Sequence, residues 1–210
     1  MTLKWLVLWR HGESDYNAAR RMQGQLDSQL TATGLGQARR AARSLAALKP
    51  EVLVTSDLSR AGDTAAALAA ETGMPLRVDK RLRETHLGTW QGLTHAEVEA
   101  LWPGGILTWR GNPEWAPPGG ETRVEVAGRA AHVVAELDTA GHSSAVLCTH
   151  GGLIAGLTPL LLGLPVSGWS VFGGIGNCHW TVLVRRGSGW RLFSYNANTA
   201  APSDVSGLCR

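Results

Sequence analysis

Apolar and polar positions along this chain follow two alternating periods. Residues 3–9, Leu-Lys-Trp-Leu-Val-Leu-Trp, make a short apolar run that stops at the charged turn Arg10-His11-Gly12. A run of that length, bounded that way, predicts a buried strand. Residues 51–55, 76–79 and 144–149 read the same way. Residues 33–48 instead carry apolar positions at helical spacing behind Thr31, a good N-cap, and Pro50 closes that helix. Further helices are predicted over 59–72, ended by Gly73, over 122–139 behind a Pro-Pro-Gly-Gly turn, and over 151–162. Residues 177–184 and 190–195 flank Gly187-Ser188-Gly189 and predict an antiparallel hairpin.

Strands alternating with helices imply βαβ units and a mostly parallel sheet, with the hairpin adding an antiparallel edge. No repeat, linker or composition break divides residues 1–210, so a single α/β domain is expected. The segment 86–120 is rich in Gly, Pro and Trp and too long for an ordinary connection. It is expected to be irregular and to act as a lid or substrate-binding insertion.

Composition narrows the classes. The 210 residues hold 20 basic and 17 acidic side chains, a net charge of +3, which with nine tryptophans excludes a collagen or a coiled coil. Only Lys4, Lys49 and Lys80 are lysines; the remaining basic residues are arginines. No basic run exceeds two, so nucleic acid is not an expected partner. Arginine suits bidentate contact with phosphate, and a small anionic substrate fits better. Cys148, Cys178 and Cys209 cannot all pair and form no CxxC motif. The apolar run from Trp5 to Trp9 is too short for a membrane span or signal segment. A reduced, soluble, cytoplasmic protein with no membrane partner is expected.

Parallel sheets bind ligands at the carboxyl ends of their strands. Here those ends carry Arg10-His11-Gly12-Glu13, Ser56-Asp57-Leu58-Ser59-Arg60 and Thr149-His150-Gly151-Gly152, while Arg83-Glu84-Thr85-His86 follows the third strand. Each group alone is more often structural than catalytic; their coincidence on one rim predicts a site. The chain has no GxxxxGK[ST] and no GxGxxG after a strand. Gly173-Gly174-Ile175-Gly176 precedes a strand and reads as a turn. His86 and His95 lack metal-ligand spacing, and His132, His142 and His179 read as surface or structural residues. No metal and no cofactor are expected.

The segments Leu8-Trp9-Arg10-His11-Gly12-Glu13-Ser14 with Asn17, Ser56 to Thr64, Glu84, and Thr149-His150-Gly151-Gly152 resemble, in order and over most of the chain, the signature of the histidine phosphatase (phosphoglycerate mutase-like) superfamily. Trp9 stands where that family usually has a smaller residue, which bears on packing beneath the site. The resemblance implies an α/β/α sandwich and a phosphohistidine intermediate. In that scheme His11 is the nucleophile, Arg10, Arg60 and His150 bind the phosphoryl oxygens, and Asn17 adds a neutral donor. Glu84 is the general acid and base, and a backbone carbonyl in the turn after His11 fixes its tautomer. Gln23, Gly24 and Gly151 are expected to touch substrate. The family tendency is a homodimer, for which Trp169 to Phe172 or the C-terminal hairpin is a candidate face.

Arg21 to Asp27, Arg81 to Ala96, Trp115 to Thr122 and Gly176 to Trp180 look like one group of that superfamily, the mycobacterial glucosyl-3-phosphoglycerate phosphatases. That likeness implies a phosphorylated glycerate glycoside as substrate and a place in methylglucose polysaccharide synthesis. Broad phosphatase and mutase activities are the alternatives. A mutase needs extra basic residues for a second phosphate, and between Thr85 and Gly120 the chain offers only Arg110. Trp90, Trp102, Trp109 and Trp115 fall in or beside the insertion, where they suit a sugar ring; for any one of them, packing is the stronger expectation.

Overall fold

The structure is a computed structural model that describes residues 2–199; Cys209 lies outside them. Six strands, β1 (Trp5–Arg10), β2 (Val52–Thr55), β3 (Leu76–Val78), β4 (Ser144–Thr149), β5 (Trp180–Arg186) and β6 (Gly189–Ala197), form one sheet in the order β3-β2-β4-β1-β5-β6. The first four run parallel, and β5 and β6 are antiparallel. The register pairs Arg10 with Thr149 and Thr55 with Cys148, so three strands end on one rim.

Alternation along β1 builds two cores. Leu6 and Leu8 join the cluster under α6 (Arg123–Thr139) and α7 (Gly151–Leu161). Val7 and Trp9 join the cluster under α2 (Ala32–Ala46) and α3 (Ser59–Thr72). Successive side chains point to opposite faces, and each fully buried Leu or Val there contributes about 1.5–3 kcal/mol over exposure. The expected α/β/α sandwich with an antiparallel edge is what forms. Trp9 is fully buried beside the alanines of α2 and α3, the packing place its position implied.

The insertion differs from its expectation. Residues 86–120 hold a 3-10 turn at Gly88–Trp90 and two seven-residue helices, α4 (His95–Leu101) and α5 (Gly105–Gly111). A capping box starts α4: Thr94 Oγ1 accepts from Glu97 N at 3.2 Å and Glu97 Oε2 from Thr94 N at 2.7 Å. Helices this short leave little periodicity to read. A four-residue helix, α1 (Asp15–Ala18), also went unpredicted; Ser14 and Asn17 cap it. The tryptophans form a satellite core, with Trp90 fully buried and the rings of Trp102, Trp109 and Trp115 at 6.0, 6.2 and 5.5 Å from it. Trp169 is buried too, whereas Val171 of the same stretch is exposed.

The start of α2 crosses the turn after β1 with almost no clearance. A Cβ on Gly34 would sit 2.0 Å from the Glu13 carbonyl oxygen, and one on Gly12 would sit 2.6 Å from that of Gly34. Gly36, one turn interior, has nothing nearer than the 3.4 Å end of Arg40. Gly34→Ala is therefore expected to destabilise by about 1–3 kcal/mol. Gly36→Ala should stabilise by up to about 1 kcal/mol. Urea unfolding of the two variants checks this; equal effects would contradict the close approach.

Candidate active site

β1 delivers His11 to the rim, where it is 2% exposed. Its Nδ1 lies 2.7 Å from the Gly12 carbonyl oxygen, and its Nε2 accepts from Arg60 Nε at 3.3 Å. A guanidinium only donates, so Nε2 carries the lone pair and Nδ1 the proton. Burial pushes the His11 pKa well below the ordinary histidine value, and the charges of Arg10 and Arg60 push the same way, against the Gly12 hydrogen bond. Asn177 Nδ2 braces the turn, donating to the carbonyls of His11 at 3.2 Å and Gly12 at 3.1 Å.

Two guanidiniums flank that ring. Arg60, fully buried at the start of α3, donates to Gly24 O at 2.8 Å and Leu26 O at 2.9 Å, and burial lowers its pKa to about 10. Gly24 holds φ +55°, and a Cβ there would meet Gln91 Oε1 at 2.3 Å, so this loop carries glycine. Arg10 Nη1 donates to Ile175 O, while its buried Nε has no partner. Burial lowers the Arg10 pKa, opposed by Glu84.

His150 caps α7 and is fully buried, its ring 5.1 Å from that of His11, with neither nitrogen hydrogen-bonded. Burial, then Arg60, His11 and Arg10, hold its pKa well below the ordinary value. Unpaired buried polar groups are costly, so a cluster of them marks a place that a ligand completes. Asn17 Oδ1 accepts from Asn177 Nδ2 at 3.0 Å and from Ser14 N at 3.2 Å, and Gln23 Oε1 accepts from Ser14 Oγ at 2.8 Å and Ser28 Oγ at 2.7 Å. Each amide thereby keeps its NH2 group for something else.

The Glu84 carboxylate accepts from three backbone N–H groups: Thr85 at 2.8 Å, Gly152 at 3.0 Å and Leu153 at 3.1 Å. Two of these belong to the open N-terminus of α7. A Cβ on Gly152 would meet Glu84 Oε1 at 2.5 Å, so only glycine admits the carboxylate. Behind it, Arg129 donates to the carbonyls of Arg81 (2.6 Å), Arg83 (2.7 Å) and Glu84 (2.8 Å), and pairs with Glu121 at 2.9 Å. Glu121 also accepts from His86 N at 2.8 Å. Five hydrogen-bonded groups thus fix the loop that presents Glu84.

One cavity of about 780 Å³ gathers Arg10, His11, Asn17, Gln23, Gly24, Arg60, Glu84 and Gly151. Of the residues expected at the site, only His150 is not on its wall; it is fully buried with its ring centroid 5.1 Å from that of His11. Gly152, Asn177, Arg123 and Arg129 went unassigned in the sequence. Gly152 was legible in the His-Gly-Gly strand end, whereas the arginines on α6 carry no local signal. Trp109 alone of the four insertion tryptophans reaches the wall, which Phe172 also lines. Among the described residues no three His, Cys, Asp or Glu side chains cluster as metal ligands, and no helix is long and apolar enough to cross a membrane. Cys148 and Cys178 are free and buried. A neutral imidazole nitrogen beside guanidiniums, with a carboxyl group in the same cavity, suits nucleophilic attack on the electrophilic centre of an anionic, oxygen-rich group.

The profile of the histidine phosphatase superfamily (branch 1) matches residues 6–198. The glucosyl-3-phosphoglycerate phosphatase of Mycolicibacterium vanbaalenii is 49% identical over 98% of this chain and all of its own length. That of Mycobacterium tuberculosis H37Rv is likewise 49% identical over 98% of this chain. The solved mycobacterial glucosyl-3-phosphoglycerate phosphatase in complex with VO3 superposes with a TM-score of 0.90 at 51% identity, covering 93% of this chain and 100% of that one.

Because the folded His11 and His150 bind protons only well below pH 6.5, the unfolded chain binds more protons in that range. Stability is expected to fall with acidity there. Imidazole NMR titration should show two rings that stay neutral well below pH 6.5; if both titrate at the ordinary value, this electrostatic account is wrong.

Proposed function

The chain belongs to the histidine phosphatase superfamily (branch 1), and we propose that its cavity hydrolyses glucosyl-3-phosphoglycerate to glucosylglycerate and inorganic phosphate. It is a phosphatase by family; the substrate rests on the near-full-length identity to phosphatases of that name. The observation that supports the reaction is the unprotonated His11 Nε2, which accepts only a long 3.3 Å bond from Arg60 while Gly12 holds the proton on Nδ1, beside the orphaned donors of Arg10 and His150.

In the first step His11 Nε2 attacks phosphorus. The P–N bond forms as the bond to the glycerate oxygen breaks, and Glu84, which enters this step as the protonated acid, gives its proton to the leaving alkoxide. In the second, Glu84 takes a proton from water, whose oxygen attacks phosphorus. Phosphate leaves and His11 returns neutral. Arg10, Arg60, His150 and Asn17 hold the equatorial oxygens, where transition-state charge accumulates. His150, its ring centroid 5.1 Å from that of His11 and both nitrogens unpaired, supplies one of these contacts. Each lost contact of this kind costs about 2.7–4 kcal/mol in the barrier. Gln23, Gly24 and Gly151 line the path of the substrate.

The positive charge comes from arginine, so the reaction runs without metal or cofactor. The product fits a cytoplasmic route to methylglucose polysaccharide, and the enzyme acts as a homodimer. Residues 86–120 serve as a substrate-binding insertion within one domain.

A substrate panel in EDTA tests the reading. Glucosyl-3-phosphoglycerate is expected to be cleaved with kcat/KM at least about tenfold above 3-phosphoglycerate and p-nitrophenyl phosphate, the scale of about one well-placed hydrogen bond. Equal efficiency on all three would leave a broad phosphatase, and stimulation by bisphosphoglycerate with isomerised product would make it a mutase.

A further inference from the structure

Among the described residues, two arginines bury a side-chain nitrogen that has no hydrogen-bond partner. Arg10 Nε is one, and the phosphoryl group completes it. Arg123 Nη1 is the other, and the proposed reaction leaves it unexplained. Arg123 opens α6 and lines the same cavity. Its Nη2 makes only two long bonds, 3.4 Å each, to the carbonyls of Trp109 and Arg110. No carboxylate lies within ion-pair distance of it among the described residues.

The protein makes room for this side chain. A Cβ on Gly156 of α7 would lie 2.9 Å from Arg123 Cγ, so a glycine stands where the stem passes. Burial lowers the Arg123 pKa, only partly offset by Tyr195 and Glu84. A desolvated guanidinium nitrogen without an acceptor is a net cost to the folded chain unless a ligand supplies one. Two exposed arginines on the same cavity wall, Arg20 and Arg110, also have side chains free of hydrogen bonds and ion pairs among the described residues. Arg21, by contrast, is taken by Gly92 O at 2.7 Å and Glu97.

We propose that Arg123, with Arg110 and Arg20 at the rim, forms a second anion subsite that takes the carboxylate of a carboxylated phosphomonoester. This rests on the substrate reading above, whose glycerate carries one carboxylate beside the phosphate. The subsite makes the enzyme select acids: a charge-assisted fork to the carboxylate orients the phosphate on His11 and disfavours neutral phosphomonoesters.

The test compares 3-phosphoglycerate with glycerol 3-phosphate, which differ in a carboxylate against a hydroxymethyl group. The wild-type enzyme is expected to favour the acid in kcat/KM. Arg123→Gln should cut that ratio by about ten- to hundredfold, the span of one charged hydrogen bond. If Arg123→Gln does not fold, Arg123→Lys, which keeps the charge and loses the fork, should cut it by less. An unchanged ratio in a folded variant, or a wild type without preference for the acid, overturns the subsite. The two readings fail separately: a wild type that cleaves glucosyl-3-phosphoglycerate no better than p-nitrophenyl phosphate refutes the substrate. Efficient cleavage with a ratio indifferent to Arg123 refutes only the subsite.

Discussion

The hydrogen bond between His11 Nδ1 and the Gly12 carbonyl, 2.7 Å long, decides which nitrogen of the ring is bare. Burial and the charges of Arg10 and Arg60 oppose a second proton on His11 and outweigh the Gly12 hydrogen bond, holding its pKa well below the ordinary value. The site therefore needs no base to free its nucleophile; the lone pair on Nε2 is the resting state. What remains is to hold the ring still and to place an acid across from it.

The fold supplies both through backbone contact. The parallel register of β1 and β4 sets His11 beside His150, and Gly12 against Gly34 fixes the turn whose carbonyl locks the tautomer. Asn177 reaches in from the loop before β5 to hold the same carbonyl. Across the cavity, the N-terminus of α7 and the Arg129–Glu121 pair immobilise Glu84 from its carboxylate and from its main chain. Acid and nucleophile are thus positioned by different layers of the sandwich, α7 and α6 on one side and α2 and α3 on the other. Any rearrangement of the sheet would separate them.

Much of this was legible in the chain. Strand ends are short motifs, so Arg10, His11, Arg60, Glu84 and Gly151 could be read where they stand, and long helices such as α3 showed their period with both ends in place. The unread parts share a cause. Seven-residue helices in the insertion offer too few turns for a period, and although packing was the stronger expectation for each of its four tryptophans, nothing marked Trp109 as the one that also reaches the cavity. Arg123 and Arg129 sit on the helix after that insertion, and their partners are carbonyls more than ten or forty residues away. Contacts to main-chain oxygen leave no trace in side-chain pattern. Gly152 was visible as a glycine, but the carboxylate it admits was not.

The central claim is that the bare nitrogen of His11 becomes bonded to phosphorus during turnover. Rapid mixing of enzyme with substrate, alkaline quenching and mass spectrometry of the His11 peptide tests it directly. The account predicts a phosphorylated His11, absent in His11→Ala and, in Glu84→Gln loaded from p-nitrophenyl phosphate, whose leaving group needs no acid, longer-lived because water is not activated. Normal turnover with no phosphate on His11 at any time, or turnover that survives in His11→Ala, would contradict it.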